Sequence, residues 1–243
     1  MRPGAGSGHG RWEVGGLGAA VAGRRERKKA DTQRRIFEAA DALLAEKGYA
    51  RVTTQEIAEA ADVGAGTLFR YARTKAEILI MVMNERLRLG AERGLVIAEQ
   101  GGSPAEAIVG LVEPLVRAAI AHPENTSVFQ REVLFGVDGP YRAEALQRIR
   151  ELEDAMVVIL TGRPPVAPGG GGPEEDGPGG TGPGEGGTEL RRVAGTIFSV
   201  LFLKLVRFEL GQVSAEALPD VLREDVEYLV RELVRPGAAG GRS

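Results

Sequence analysis

The chain has 243 residues, a hydrophobic content of 43% and a formal net charge of −3. This length allows one large domain or two modest ones, and the apolar content suffices for a packed core. Because there are no cysteines, disulfide and thiol chemistry are excluded and a cytoplasmic location is favoured. The most apolar stretch, 193–203, is far shorter than the roughly 20 residues of a membrane-spanning helix, so no membrane partner is expected.

Two segments are dominated by glycine and proline. Residues 1–23 contain eight glycines, and residues 162–187 contain twelve glycines and six prolines. Neither segment can bury enough apolar surface to offset the entropy lost on ordering. We therefore predict a disordered tail over 1–23, a disordered loop over 162–187 and a short disordered tail over 237–243.

The charge is unevenly distributed along the chain. Residues 24–35 include seven basic and two acidic side chains, so this segment carries +5 and the remainder −8. Such a run is often only a solvated surface. The run lies before a helix-turn-helix pattern over 53–79, which is described next. This position favours an arm that neutralises DNA phosphates or enters the minor groove of DNA. The predicted arm residues are Arg24, Arg25, Arg27 and Lys28.

The pattern over 53–79 predicts two short helices joined by a tight turn and followed by a third. Thr53 and Glu56 have the spacing of a capping box at the start of the first helix. Gly64 suits the turn because glycine tolerates a positive φ, and Thr74 can cap the third helix. This layout is that of a helix-turn-helix, whose second helix reads the major groove of DNA.

This stretch and the helix before it resemble the DNA-binding domain of the TetR family of bacterial transcriptional regulators. The resemblance covers residues 30–80, and this chain departs from the usual pattern at Phe69, where tyrosine is common, and at Ala72, where phenylalanine is common. Phe69 lacks the hydroxyl with which tyrosine contacts a phosphate. The matching positions are Ile36, Ala39, Ala40, Leu43, Leu44, Lys47, Gly48, Tyr49, Thr53, Ile57, Ala58, Val63, Gly66, Thr67, Leu68, Lys75 and Leu79.

The resemblance implies an all-α fold with two domains. A basic arm and a three-helix DNA-binding domain occupy 24–75, and a helical domain for effector binding and dimerisation occupies 76–236. Members of the family are ligand-responsive regulators, most often repressors, which bind a palindromic operator as homodimers and are released by a small-molecule effector. The expected partners are therefore double-stranded DNA, a small molecule and a second copy of the chain.

The start of the second helix is nearly free of side chains, so direct readout of bases is expected to be sparse. Ala65 and Thr67 can contact thymine methyl groups, while Gln55 and Arg70 can reach a base edge or a phosphate. Lys75 is expected to contact a phosphate. The predicted contacts of the helix-turn-helix are Thr53, Thr54, Gln55, Gly64, Ala65, Gly66, Thr67, Phe69, Arg70, Tyr71 and Lys75.

The rest of the chain has helical periodicity. A long helix is predicted over 75–100, a capping box starts another at Ser103, and Pro114 is expected to kink that helix. After the Gly/Pro-rich segment, two further helices are predicted over 189–210 and 219–234.

Two sets of apolar residues in these helices are assigned by the resemblance. Each set has an ordinary alternative, which is that its members form the core of the subunit. The candidate effector pocket consists of Met83, Leu87, Leu111, Leu115, Phe129, Val133, Met156 and Phe198. The candidate dimer interface consists of Phe198, Phe202, Leu222, Val226, Leu229 and Leu233.

Enzyme chemistry has little support in the sequence. The only histidines are His9 and His122, no phosphate-binding GxxxxGK[ST] loop is present, and no His/Cys pattern indicates a metal. We therefore predict a regulator without cofactor, metal or catalytic residues. The alternatives are a constitutive or architectural DNA-binding protein without an effector and, with no polar site to support it, an enzyme fused to a DNA reader.

Overall fold

The computed structural model of the protein describes residues 15–162 and 183–234, with side chains for 26–162 and 188–234. Every regular element in these ranges is an α-helix, which confirms the predicted all-α class. The helices are α1 (Gly15–Arg51), α2 (Thr54–Ala60), α3 (Ala65–Tyr71), α4 (Lys75–Glu99), α5 (Pro104–Ala121), α6 (Pro123–Phe135), α7 (Pro140–Thr161), α8 (Pro183–Glu209) and α9 (Leu218–Leu233).

Two helices begin earlier than the sequence predicts. Helix α1 starts at Gly15, inside the expected tail, and α8 starts at Pro183, inside the expected loop. For α1, the alanines before the basic run and the arginines and lysines within it are good helix formers, and they outweigh the neighbouring glycines. The remainder of both segments and the tail over 237–243 lie outside the described residues.

Helices α1, α2 and α3 form a small N-terminal unit that closes on the start of α4. Its centre consists of side chains that are essentially inaccessible to solvent, including Ile36, Leu44, Ile57, Leu68 and Leu79. The apolar positions expected along α1 and α2 thus face one common core. This core fixes the direction in which the opposite face of α3 points.

Helix α1 is interrupted at Gly48, where φ is 74° and ψ is 164°. A side chain at this position would be strained in the left-handed region and would also overlap the carboxylate of Glu124 on α6. Glycine is therefore favoured by the local backbone, whereas the flexible Glu124 side chain could move aside for a larger residue.

Helices α4 and α5 pack closely and form the centre of the second half of the molecule. A methyl group added at Gly90 would overlap the carbonyl oxygen of Leu111, so α4 approaches the backbone of α5 directly. Helix α5 remains a single helix through Pro114, the residue expected to kink it. The proline ring lies beside Gly90, where the absence of a side chain leaves room for it.

The remaining helices cover this pair. Helix α7 packs on α4, α8 packs on α7 and α6, and α9 packs on α5 and α8. An ion pair joins α8 to α9, with 2.6 Å between Lys204 Nζ and Asp225 Oδ2.

Candidate nucleic-acid interface and ligand cavity

The first helix of the helix-turn-helix is capped as the sequence predicts. The Thr53 hydroxyl accepts from the Glu56 amide at 3.1 Å, and the Glu56 carboxylate accepts from the Thr53 amide at 2.8 Å. Lys47 on α1 donates to the same carboxylate at 2.9 Å. The hydrogen bonds from Lys47 and Thr53 lower the pKa of Glu56 to about 2. Glu56 therefore fixes the start of α2 and also ties it to α1.

The turn between α2 and α3 differs from the prediction in one respect. The residue in the left-handed region is Asp62, with φ of 50°, whereas Gly64 has an ordinary φ of −70°. Arg35 on α1 stabilises this turn by donating to the carbonyl of Ala61 at 3.0 Å and to that of Asp62 at 3.2 Å. Because aspartate tolerates this conformation better than most residues, glycine is not needed there.

Gly64 and Gly66 leave open space in front of α3. A Cβ atom added at either position would have no heavy atom within 4 Å, and both residues and Ala65 are exposed. On the opposite side of the helix, Leu68 is fully buried in the core of the N-terminal unit. The start of α3 therefore presents a nearly bare backbone that another molecule can approach closely.

The polar side chains near this surface bond within the N-terminal unit. Arg70 donates to the Thr67 hydroxyl over 3.4 Å, and Gln55 donates to Glu59 at 3.0 Å on the exposed side of α2. The Tyr71 hydroxyl donates to the Lys29 carbonyl on α1 at 3.2 Å. Thr53, Thr54 and Phe69 lie at the solvent-accessible edge of the same unit, and the Phe69 side chain is 46% exposed.

A groove of about 480 Å³ lies between α1 and α3, and we call it the basic groove. It is lined by Lys28, Lys29, Thr32, Arg35, Asp62, Val63, Gly64, Thr67, Arg70 and Tyr71. Four of these ten residues are basic and one is acidic, so the groove suits an anion such as a backbone phosphate. The prediction missed Lys29, Thr32 and Arg35, although all three lie in the basic run over 24–35 and two of them are basic.

The basic arm belongs to α1. The side chains of Arg27 and Lys28 are exposed, and Lys28 lines the basic groove. Arg24 and Arg25 are helical, but their side chains lie outside the described residues.

Lys75 has a different role from the predicted phosphate contact. Its ammonium group donates to the carbonyl oxygens of Tyr49 at 2.7 Å and Val52 at 2.8 Å. It also lies 4.2 Å from the centre of the Tyr49 ring. Because its donors are directed at the junction of α1 and α2, Lys75 holds the N-terminal unit together.

An apolar cavity of about 30 Å³ lies between α5, α6, α7 and α8. Its lining consists of Leu87, Val112, Leu115, Thr126, Phe129, Gln130, Ile149, Phe198, Leu201, Phe202 and Leu205. Of the candidate pocket residues, Leu87, Leu115, Phe129 and Phe198 line it. Met83, Leu111, Val133 and Met156 do not, because they are buried in the surrounding core.

Helix α6 connects this cavity to the N-terminal unit. Asn125 donates to the Leu44 carbonyl at 3.0 Å and accepts from the Tyr49 amide at 2.6 Å. A ring nitrogen of His122 lies 2.9 Å from the Ala45 carbonyl oxygen. Thr126, directly after Asn125, lines the cavity, so adjacent residues of one helix contact the two halves of the molecule.

The predicted dimer residues are only partly at the surface. Leu222 and Val226 are fully buried in the subunit's own core, because this face of α9 packs on α5. Phe198 and Phe202 line the cavity, and Leu229 is partly buried. Leu233 is 38% exposed.

Within the described residues, no helix is long and apolar enough to cross a membrane. The described side chains also contain no group of three or more histidine, aspartate or glutamate residues placed to hold a metal ion.

Sequence comparison identifies relatives of this chain. Residues 36–82 match the family model described as "Bacterial regulatory proteins, tetR family". The transcriptional repressor KstR of Mycolicibacterium smegmatis is 33% identical over 135 residues, which cover 54% of this chain and 61% of that protein. An uncharacterised regulator of Bacillus subtilis, YvkB, is 35% identical over 71 residues, 29% of this chain and 36% of that one. The chain spans about three fifths of the length of the KstR proteins it matches.

Solved structures agree with this assignment across most of the fold. The transcriptional repressor FadR of Thermus thermophilus, solved in complex with lauroyl-CoA, has a TM-score of 0.52 and 26% identity over 86% of this chain and 99% of that one. A TetR regulator from Rhodococcus sp. RHA1 has a TM-score of 0.58 and 20% identity, over 85% and 99% of the two chains. Residues 36–82 therefore form a domain similar to that of the tetR family of bacterial regulatory proteins, within a fold shared with solved TetR-type regulators.

Proposed function

We propose that the protein is a ligand-responsive transcriptional repressor that binds a palindromic DNA site as a homodimer. The observation that carries the proposal is the exposed start of α3, where Gly64, Ala65 and Gly66 leave the backbone open beside the basic groove. A surface of this shape allows α3 to enter a major groove while the basic side chains contact the flanking phosphates. Repression is supported by the similarity to KstR.

A palindromic site requires two copies of α3 related by a two-fold axis. The outward faces of α8 and α9 suit this pairing, since Leu203 is 49%, Leu210 67% and Tyr228 57% exposed. Burial of these exposed apolar side chains would stabilise a dimer. Because Leu222 and Val226 face inward, the proposed interface consists of this outward face and includes Leu233.

Response to a small molecule is supported by α6. A ligand that widens the cavity would displace the segment that begins at Thr126, and Asn125 would carry the displacement to α1. FadR of Thermus thermophilus, a structural relative, holds lauroyl-CoA. A constitutive DNA-binding protein without an effector remains the alternative, and the cavity and the contact between α1 and α6 favour the responsive one.

Mapping of bound fragments from a genomic DNA library, with the purified full chain as bait, tests this function. We expect enriched fragments that share an inverted repeat with half-sites about one helical turn apart. The Arg70→Ala variant should lose this enrichment, and Arg150→Ala, which alters an exposed side chain of α7, should keep it. Enrichment of single, unpaired half-sites would contradict the homodimer, and no enrichment would contradict the regulator.

A further inference from the structure

The cavity between α5, α6, α7 and α8 has an almost entirely uncharged surface. None of the described residues that line it is ionisable, and nine of the eleven are aliphatic or aromatic. Burial of an isolated ionised group against such walls is strongly unfavourable. The part of a ligand that enters this cavity must therefore be neutral and mainly apolar.

One polar group in the wall lacks a partner. Thr126 is 4% exposed, and its hydroxyl oxygen is buried without a hydrogen bond. Other helical threonines of this chain satisfy the hydroxyl locally: Thr32 donates to the Lys28 carbonyl at 2.9 Å, and Thr196 to the Arg192 carbonyl at 2.9 Å. An unsatisfied buried hydroxyl is destabilising, so its retention beside a cavity indicates a partner that arrives from outside.

A second polar side chain lies one turn further along α6. Gln130 is 6% exposed and donates to the Phe202 carbonyl over 3.4 Å, close to the upper limit for a hydrogen bond. With a spacing of four residues, Thr126 and Gln130 share one face of the helix. Together they form a short polar strip in an otherwise apolar wall.

We infer that this cavity binds a mainly apolar molecule with one uncharged oxygen function, such as a hydroxyl, ketone or ester, which forms a hydrogen bond with Thr126. The inference rests on the proposed ligand-responsive function and specifies its ligand class. Thr126 selects for the oxygen function, and the surrounding aliphatic and aromatic side chains contact the apolar body. The end of the ligand that is buried in the cavity cannot be an ionised carboxylate, because the walls offer it no compensating charge.

The cavity must widen to admit such a molecule, because a volume of about 30 Å³ has room for only about two or three water molecules. Ile149, Phe198 and Phe202 are only partly buried and form its outer wall. The rings of Phe198 and Phe202 have centroids 6.1 Å apart and are tilted by 39°. Rotation of these two side chains opens a path from the surface between α7 and α8.

Four six-carbon probes, hexan-1-ol, hexan-2-one, hexanoate and 1-chlorohexane, test the inference with the full chain. Their dissociation constants are measured by titration calorimetry or ligand-detected NMR at neutral pH. For the unaltered protein we expect the alcohol and ketone to bind at least about tenfold more tightly than hexanoate. Thr126→Val should weaken the alcohol and ketone roughly fivefold to tenfold and leave 1-chlorohexane unchanged.

A second variant, Thr126→Ser, keeps the hydroxyl and should retain the preference for the alcohol. It keeps the test decisive if Thr126→Val fails to fold, since loss of the preference in Thr126→Ser would then overturn the inference. Hexanoate binding as tightly as hexan-1-ol, equal losses for all probes in Thr126→Val, or no binding of any probe would also overturn it. DNA affinity is measured in the same experiments. If an outcome overturns the inference while DNA binding persists, only the ligand class is wrong. If the unaltered protein does not bind DNA, the proposed function is contradicted.

Discussion

Arg35 and Lys75 direct their donors to backbone carbonyls and thereby stabilise the N-terminal unit. Arg35 serves the carbonyls at the end of α2, and Lys75 serves those between α1 and α2. Arg70 and Lys28 are exposed beside the same surface. Arg35 and Lys75 therefore stabilise the N-terminal unit, whereas Arg70 and Lys28 are available to contact a partner.

Lys75→Met should lower stability without changing the salt dependence of DNA binding. It leaves the carbonyls of Tyr49 and Val52 without their donor, at a cost of about 1–3 kcal/mol in the free energy of unfolding. Lys28→Met is the matched control and should preserve stability while reducing the slope of log affinity against log salt by about one unit. Denaturation curves and DNA titrations at several salt concentrations check both predictions. If Lys75→Met reduced the slope and left stability unchanged, Lys75 would contact a DNA phosphate instead of stabilising the N-terminal unit.

The Glu56 carboxylate should make the stability of the N-terminal unit dependent on pH. Its pKa in the folded protein, about 2, lies below the ordinary value of 4.5, so the folded state favours the ionised form. The resulting stabilisation is present above pH 4.5 and is lost as the pH falls from there towards 2. Thermal unfolding of the unaltered chain and Glu56→Gln should show a smaller loss in the variant over this range, and parallel curves would contradict the assignment.

At the level of helices, α6 is the element that links the cavity to the N-terminal unit. Asn125 uses both ends of its amide on α1, and Thr126 and Gln130 line the cavity. Gly48 lies beside the side chains of His122 and Glu124, so α6 begins close to the end of α1. A shift of α6 would therefore displace the end of α1.

Asn125→Leu should uncouple the two halves of the molecule. The substitution removes the side-chain partner of the Leu44 carbonyl and of the Tyr49 amide, with an expected loss of about 1–3 kcal/mol for a group left unsatisfied. DNA binding should persist below the new melting temperature but no longer respond to hexan-1-ol. Ser127→Ala, which alters a hydroxyl bonded within α6, is the control and should leave the response intact. A ligand response equal to that of the unaltered protein would rule out this route.

Helix positions were largely predictable because local signals fix them. Ser103 with Glu106 and Pro104 gave the start of α5, and Thr53 with Glu56 gave that of α2. Tertiary contacts were less accessible. Periodicity identified an apolar seam at Leu222 and Val226, but could not distinguish a seam that faces another subunit from one that packs on α5.

The site residues, too, were predictable where local sequence determines them and not where tertiary contacts do. The exposed glycines of α3 were predicted, since a side-chain-poor start to this helix is visible in the sequence itself. The carbonyl partners of Lys75 were not, because they depend on how the end of α1 folds back on α4. The unpaired hydroxyl of Thr126 could be found only from the three-dimensional structure, as nothing in its sequence neighbours separates it from other helical threonines.

At the scale of the whole molecule, the exposed apolar side chains among the described residues include two candidate regions for pairing. One is the outward face of α8 and α9, and the other surrounds Phe135 and Val137, which are 82% and 91% exposed. Leu203 on α8 and Leu210, directly after its last residue, are seven residues apart, so both can belong to one long contact. The second region is confined to the end of α6 and the connection to α7.

Leu203→Glu should convert the proposed dimer to a monomer, whereas Phe135→Glu should leave it dimeric. A carboxylate at the centre of the α8 face would have to be desolvated without a partner, and dissociation avoids that cost. Both positions are exposed in the subunit, so neither variant should unfold. Sedimentation velocity distinguishes the two, and the opposite result would place the interface at the end of α6.

The central claim, that the bare start of α3 enters DNA, is tested most directly at Gly66. Its Cβ position is open, so Gly66→Ala and Gly66→Glu should both fold with melting temperatures at or near that of the unaltered chain. On a DNA site found by fragment mapping, Gly66→Ala should retain most of the affinity. Gly66→Glu should fall to the level of non-specific binding, a loss of at least about a hundredfold, because the carboxylate occupies the space of approach and faces phosphates. If Gly66→Glu bound this site as tightly as the unaltered protein does, the start of α3 would not be the part that enters DNA.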